Sequence, residues 1–115
     1  MSDRQWVRIT TIEQIPSREG RVAEVGGRQI AIFNLPDGVL AIDNQCPHKG
    51  GPLADGIVSG RSVVCPLHAW KIDLERGTVE RPAGSDACVR RYDAKVVDGM
   101  ILLHLDAGTR EGEAA

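Results

Sequence analysis

Two pairs of cysteine and histidine constrain this chain more than any other feature. The first pair lies in Cys46-Pro47-His48, a C-x-H spacing, and the second in Cys65-Pro66-Leu67-His68, a C-x2-H spacing. Each segment therefore offers one thiolate and one imidazole, and both groups are common metal ligands in proteins. A fold that uses both pairs at one site must bring two loops, separated by a strand-length segment, to face each other.

Three kinds of site use such side chains. Two irons bridged by two sulfides need four terminal ligands, and a chain that gives two Cys to one iron and two His to the other presents one of each from two facing loops. Zinc takes the same ligands, although structural zinc usually pairs C-x2–4-C with H-x3–5-H. A Cys and His nucleophile pair would leave the second pair without a role. The spacing favours an iron–sulfur cluster and leaves zinc as the alternative.

Outside these loops, short runs rich in Val and Ile alternate with tight turns, such as Gly26-Gly27 and Asp98-Gly99. A helical turn is expected over residues 11–17, where Pro16 ends it. The pattern predicts an all-β sandwich or small barrel, with the chemistry in loops 44–56 and 65–69. The predicted strands are residues 6–11, 21–25, 29–34, 39–43, 62–64, 70–73, 88–97 and 100–105.

Size and composition limit the possible partners. The 115 residues predict one domain over residues 1–115, with a frayed tail at 106–115. The net charge is -2 and basic residues are interleaved with acidic ones, which argues against a nucleic-acid surface. No run approaches the roughly 20 apolar residues of a membrane helix, and the polar start of the chain is unlike a signal peptide. Three widely spaced cysteines suit a reducing compartment, so a cytoplasmic location is expected.

Residues 46–53, CPHKGGPL, and residues 65–73, CPLHAWKID, resemble the two metal-binding boxes of Rieske proteins. The resemblance extends over about residues 6–105. It implies an antiparallel base with a small cluster-binding subdomain at about residues 44–81, and a proline loop at 81–84 that covers the cluster. It also implies a Rieske-type [2Fe–2S] cluster with four ligands, Cys46, His48, Cys65 and His68.

Four positions depart from the high-potential Rieske proteins. Those proteins carry a disulfide across the cluster where this chain has Gly51 and Leu67, and hydroxyl donors where it has Trp70 and Ile72. Fewer donors toward the sulfurs leave the reduced, more negative cluster less stabilised. A potential near the lower end of the Rieske range, about −150 mV, is therefore predicted.

Segments 70–75 and 88–92 further resemble the small subunit of assimilatory NAD(P)H-dependent nitrite reductase. This resemblance implies a large partner subunit with FAD, a [4Fe–4S] cluster and sirohaem that reduces nitrite to ammonium. The alternative is a Rieske ferredoxin that carries electrons from a flavin reductase to an aromatic-ring-hydroxylating dioxygenase. A zinc-bound interaction module is the third possibility. The chain has no dinucleotide fingerprint and no acid–base pair in a loop, so it is not expected to catalyse a reaction alone.

Five further residues have an expected role. Cys88 is expected to be a small buried side chain within a strand, and His104 a residue on a strand face. Gly51, with Gly50, is expected to let the loop backbone approach the cluster. Trp70 is expected to shield the cluster or pack in the core.

Overall fold

The computed structural model describes residues 4–46, 51–67, 69–85 and 87–106. Within them the chain forms strands and two short 3-10 turns, Ile12–Gln14 and Leu53–Asp55. No helix of these residues is long and apolar enough to cross a membrane. The strands are β1 Arg4–Thr11, β2 Gly20–Val25, β3 Arg28–Leu35, β4 Gly38–Asp43, β5 Ile57–Ser59, β6 Ser62–Val64, β7 Lys71–Asp73, β8 Val79–Arg81, β9 Arg91–Val97 and β10 Met100–Asp106.

The strands form two antiparallel sheets, which confirms the all-β Rieske-type fold. The larger sheet has the order β1-β10-β9-β4-β3-β2, and the smaller one has the order β5-β6-β7-β8. Two-residue turns close the β2–β3 and β9–β10 hairpins at Gly26-Gly27 and Asp98-Gly99, and all four turn residues have positive φ. Such turns match the twist of the flanking strands and favour Gly. The sequence predicted both turns correctly.

Strand β3 of the larger sheet is buried on both faces, because one face lines the core of its own sheet and the other packs against the smaller sheet. Ile30 and Ile32 point into the core of the larger sheet with residues of β4 and β10. Ala31 and Phe33 point the other way, into a second core shared with the smaller sheet. This double burial explains the uninterrupted apolar run at residues 30–33, since a strand covered on both faces has no polar side to show. The smaller sheet is therefore attached to the larger one through β3 and β4.

The structure also shows where the predicted elements were wrong. Strands β5 and β8 were not predicted, and the predicted strand 88–97 begins only at Arg91. Cys88 forms one isolated bridge with Thr78 and is exposed, so its predicted burial is wrong. The helical turn near Thr11 is the 3-10 turn Ile12–Gln14. Asp106 still belongs to β10, whereas the rest of the predicted tail, residues 107–115, lies outside the described residues.

Candidate metal centre

Cys46 begins the first loop directly after the larger sheet. Cys46 is 3% exposed, and its backbone N–H donates to the carbonyl oxygen of Gly51 at 2.9 Å. This bond joins the residues on either side of 47–50, which lie outside the described residues. The predicted ligand His48 is among these four.

Cys65 begins the second loop directly after β6, and this loop is closed in the same manner. The Cys65 N–H donates to the carbonyl oxygen of Trp70 at 2.7 Å, and the Ala69 N–H donates to the carbonyl oxygen of Cys65 at 3.1 Å. In both loops the cysteine N–H thus bonds the residue five positions later. Cys65 is also 3% exposed. The predicted ligand His68 lies outside the described residues.

The backbone of the first loop packs against the side chains of the second loop at Gly51. A Cβ atom at this position would lie 2.8 Å from the Cys65 Sγ and 3.0 Å from the Leu67 Cγ, closer than ordinary contacts allow. The φ angle of Gly51 is not in the left-handed region, so a lack of space explains the glycine. The backbone at Gly51 thus lies close to a predicted ligand, Cys65, while its approach to the cluster itself stays a prediction. Positions 51 and 67 also face each other, as the comparison with the disulfide of high-potential Rieske proteins requires.

The two described cysteines of the boxes fit half of a Cys2His2 donor set. Cys46 and Cys65 belong to the same buried cluster of side chains, and neither is in a disulfide. Two buried thiols from facing loops are the sulfur ligands that a Rieske cluster requires. Among residues 4–46, 51–67, 69–85 and 87–106, no group of three or more His, Cys, Asp and Glu could hold a metal ion. The full ligand set, which includes His48 and His68, therefore stays a prediction.

The other two singled-out side chains, His104 and Trp70, lie in different parts of the fold. His104 is buried on β10, where it stacks on Trp6 with ring centroids 5.1 Å apart. Its Nε2 is a buried atom without a hydrogen-bond partner. The position on a strand face was predicted correctly. Trp70 packs against the core shared by the two sheets, in agreement with one of its two expected roles.

Two polar contacts beside the first loop were missed by the sequence analysis. Asn44 is buried, and its Oδ1 accepts the N–H of Ala54 at 2.7 Å. The Tyr92 hydroxyl donates to Asp43 Oδ1 at 2.6 Å. Burial, followed by this hydrogen bond to a carboxylate, raises the pKa of Tyr92 above its ordinary value. The sequence could have indicated a role for Asn44, because it is a polar residue directly after an apolar strand and shortly before the Cys-Pro-His segment.

Comparisons with known proteins agree with this geometry. The family model of the Rieske [2Fe-2S] domain matches residues 5–93. The anthranilate 1,2-dioxygenase ferredoxin subunit of Burkholderia cepacia is 30% identical, over 84% of this chain and 89% of its own length. The ferredoxin of carbazole 1,9a-dioxygenase from Nocardioides aromaticivorans is 28% identical with a TM-score of 0.79, covering 86% of this chain and 96% of that chain. The E. coli protein NirD is 29% identical with a TM-score of 0.80, covering 92% and 99%.

Proposed function

Because the chain belongs to the Rieske [2Fe-2S] domain family and carries a Rieske-type cluster, we propose that it is a Rieske ferredoxin that supplies single electrons to an oxygenase. Electron transfer is the function of the domain. The oxygenase is proposed because curated relatives that the chain matches along nearly their whole length are ferredoxin components of naphthalene and anthranilate dioxygenase systems. One such component, from Ralstonia sp., is matched over 96% of its length and 88% of this chain.

The small subunit of an NAD(P)H-dependent nitrite reductase is the second candidate. The sequence analysis favoured it, and the similarity to NirD over 99% of that chain supports it. Both candidates use the same cluster and differ in the partner. In the first, the partners are a flavin reductase and a dioxygenase, and in the second, a large subunit with flavin and sirohaem.

An affinity pull-down from the native cells separates the two candidates. Cells are grown with nitrate as sole nitrogen source or with an aromatic carbon source, and the bound fraction is examined by mass spectrometry and visible absorption. We expect an oxygenase or a small flavin reductase with the chain. A large co-purifying chain with flavin and sirohaem bands would contradict the ferredoxin proposal and establish the second candidate.

We further propose that four side chains, Cys46, His48, Cys65 and His68, hold the cluster, with both thiolates on one iron and both imidazoles on the other. When bound, the cluster supplies one-electron redox chemistry. The protein contributes two buried cysteines, and backbone hydrogen bonds fix the position of each. Gly51 leaves the space beside Cys65 that a side chain would fill.

Cysteine-to-serine variants test the ligand set. Cys46→Ser and Cys65→Ser should each abolish the visible absorption and the EPR signal of the reduced protein, and His68→Ala should do the same. Cys88→Ser is the matched control, because Cys88 is exposed and outside both loops. It should leave the spectrum unchanged. Bleaching by Cys88→Ser, or an unchanged spectrum in Cys46→Ser, would show that the ligand set is wrong.

The redox potential is the other measurable property of the proposal. Trp70 and Ile72 offer no hydroxyl donor, and Ile72 is fully buried in the core that also contains both cysteines. We expect a midpoint potential near the lower end of the Rieske range, about −150 mV. This potential suits electrons delivered by a flavin or an NAD(P)H-linked donor. A redox titration that gives a value near the upper end of that range, about +300 mV, would contradict the ferredoxin assignment.

A further inference from the structure

We infer that Asn44 is a positioning residue that holds the first cluster loop closed. It lies between the last residue of β4 and the loop that contains Cys46. Asn44 is 7% exposed, and a buried polar side chain is stabilising only when it is hydrogen-bonded. The inference rests on the proposed ligands, because the loop it closes holds two of them, but not on the identity of the electron-transfer partner.

The backbone of Asn44 is fixed by the larger sheet. Its N–H donates to the carbonyl oxygen of Gln29 at 2.9 Å, and the N–H of Asp43 donates to the carbonyl oxygen of Arg90 at 3.0 Å. These bonds continue β4 on both sides, toward β3 and toward the segment before β9. These hydrogen bonds therefore fix the backbone of Asn44 relative to the larger sheet.

The side chain of Asn44, at the start of the first loop, contacts the backbone of Ala54 near the end of that loop. Its Oδ1 accepts the backbone N–H of Ala54 at 2.7 Å in a buried hydrogen bond. Ala54 lies in the 3-10 turn Leu53–Asp55, and Leu53 is fully buried in the same core as Cys46. The hydrogen bond between residues 44 and 54 therefore lies outside the one between Cys46 and Gly51 in the sequence. The two bonds hold the two ends of the loop together at two successive points.

We expect these two hydrogen bonds to affect cluster binding by fixing the position of the ligand Cys46. Groups that orient metal ligands without touching the metal typically contribute about 10- to 100-fold in metal affinity. Without the Asn44 oxygen, the N–H of Ala54 would be left unpaired in the core, and the entry and exit of the loop would separate. The expected consequence is a cluster that is bound less tightly, although the protein still folds.

The test compares Asn44→Ala with Asn34→Ala in the full-length holoprotein. Asn34 is the matched control, because its side chain also bonds a backbone group but lies outside both cluster loops. Its Nδ2 donates to the carbonyl oxygen of Ile15 at 2.8 Å. The measurements are the rate of bleaching by an iron chelator, the EPR g-values and midpoint potential of the remaining cluster, and amide hydrogen exchange of Ala54. Asn44→Asp keeps an acceptor oxygen and should largely restore the cluster.

We expect Asn44→Ala to lose its cluster at least about 10-fold faster than Asn34→Ala, with altered g-values and a rapidly exchanging Ala54 amide. Equal bleaching rates and unchanged g-values in the two variants would overturn the inference. So would a failure of Asn44→Asp to restore the cluster. Failure of the proposed function is recognised separately, because it would appear as a different partner in the pull-down or as a retained cluster in Cys46→Ser.

Discussion

The two sheets of this molecule are stabilised by different means. The larger sheet has strands of six to eight residues joined in part by two-residue hairpin turns, whereas every strand of the smaller sheet has three residues. Strands of this length bury little surface of their own, and small sheets need packing against other elements to be stable. The smaller sheet obtains this packing from Phe33 and Ala31 on β3. The sheet that carries the second cluster loop therefore depends on the larger sheet for its stability.

Phe33→Ala is expected to have the largest effect on this arrangement. Phe33 is fully buried in the shared core, and removal of a buried phenylalanine side chain costs about 3–5 kcal/mol of unfolding free energy. Because the lost contacts lie between the two sheets, cluster retention should fall together with stability. Guanidinium unfolding followed by far-UV circular dichroism and by visible absorption measures both.

Ile32→Ala is the control, since Ile32 is the adjacent residue on the opposite face of β3. It should cost about 2–5 kcal/mol. At denaturant concentrations where both variants remain folded, we expect it to leave the chelator-induced bleaching rate unchanged. If Ile32→Ala and Phe33→Ala accelerated bleaching equally, the two faces of β3 would not have separate roles.

Gly56→Ala is expected to act on the smaller sheet directly. A Cβ atom at Gly56 would lie 2.3 Å from the carbonyl oxygen of Val64 and 2.8 Å from Val63 Cγ2. Overpacking of this kind typically costs about 1–3 kcal/mol. Here β6 would have to move, and with it the start of the second loop at Cys65. Thermal unfolding and the visible spectrum check the loss.

Gly60→Asn provides the matched control in the same sheet. Gly60 has a φ of 63° and open space around its Cβ position, and Asn tolerates this left-handed conformation better than most residues. Its effect on the unfolding free energy should be well below that of Gly56→Ala. A larger loss in Gly60→Asn would mean that the turn, rather than the packing of β6, limits the stability of this sheet.

The same difference between the sheets explains how much the sequence could predict. The hairpins of the larger sheet were predicted because Gly26-Gly27 and Asp98-Gly99 are local turn signals. Three-residue strands are too short to show a periodicity. Of the four such strands in the smaller sheet, β6 and β7 were predicted, whereas β5 and β8 were missed. Short-range patterns therefore predict the larger sheet better than the smaller one.

The residues of the candidate site also differ in how well local sequence patterns predict them. The two Cys-Pro boxes were recognised from local spacing, and the burial of Cys46 and Cys65 agrees with that prediction. The contact from Asn44 to Ala54 was missed because no local pattern specifies a partner ten residues away. Cys88 was assigned a wrong burial because the strand was extended to it, whereas the buried residue there is Val89. Burial in short irregular segments depends on tertiary packing, which the sequence pattern does not specify.

The smallest predicted effect concerns the larger sheet alone and depends on pH. Burial and the hydrogen bond to Asp43 raise the pKa of Tyr92 above its ordinary value of 10.0. The folded state therefore keeps this proton to higher pH than the unfolded state does. The stabilisation is complete below about pH 10 and is lost as the pH rises through the pKa of the folded state. Since Tyr92 is the only tyrosine of the chain, its ionisation can be followed by absorbance at 295 nm.

Tyr92→Phe should remove the part of the alkaline stability loss that is due to this residue, and at neutral pH it should cost about 1–2 kcal/mol of unfolding free energy for the lost hydrogen bond. The chelator-induced bleaching rate should not change, because Tyr92 packs in the core of the larger sheet and not in the core that contains the two cysteines. A tyrosine that titrates at or below pH 10 would contradict the predicted pKa. A bleaching rate raised as much as in Phe33→Ala would instead show that the core of the larger sheet, through Asp43, also affects the first cluster loop. The two sheets would then be less independent at the metal centre than their separate cores indicate.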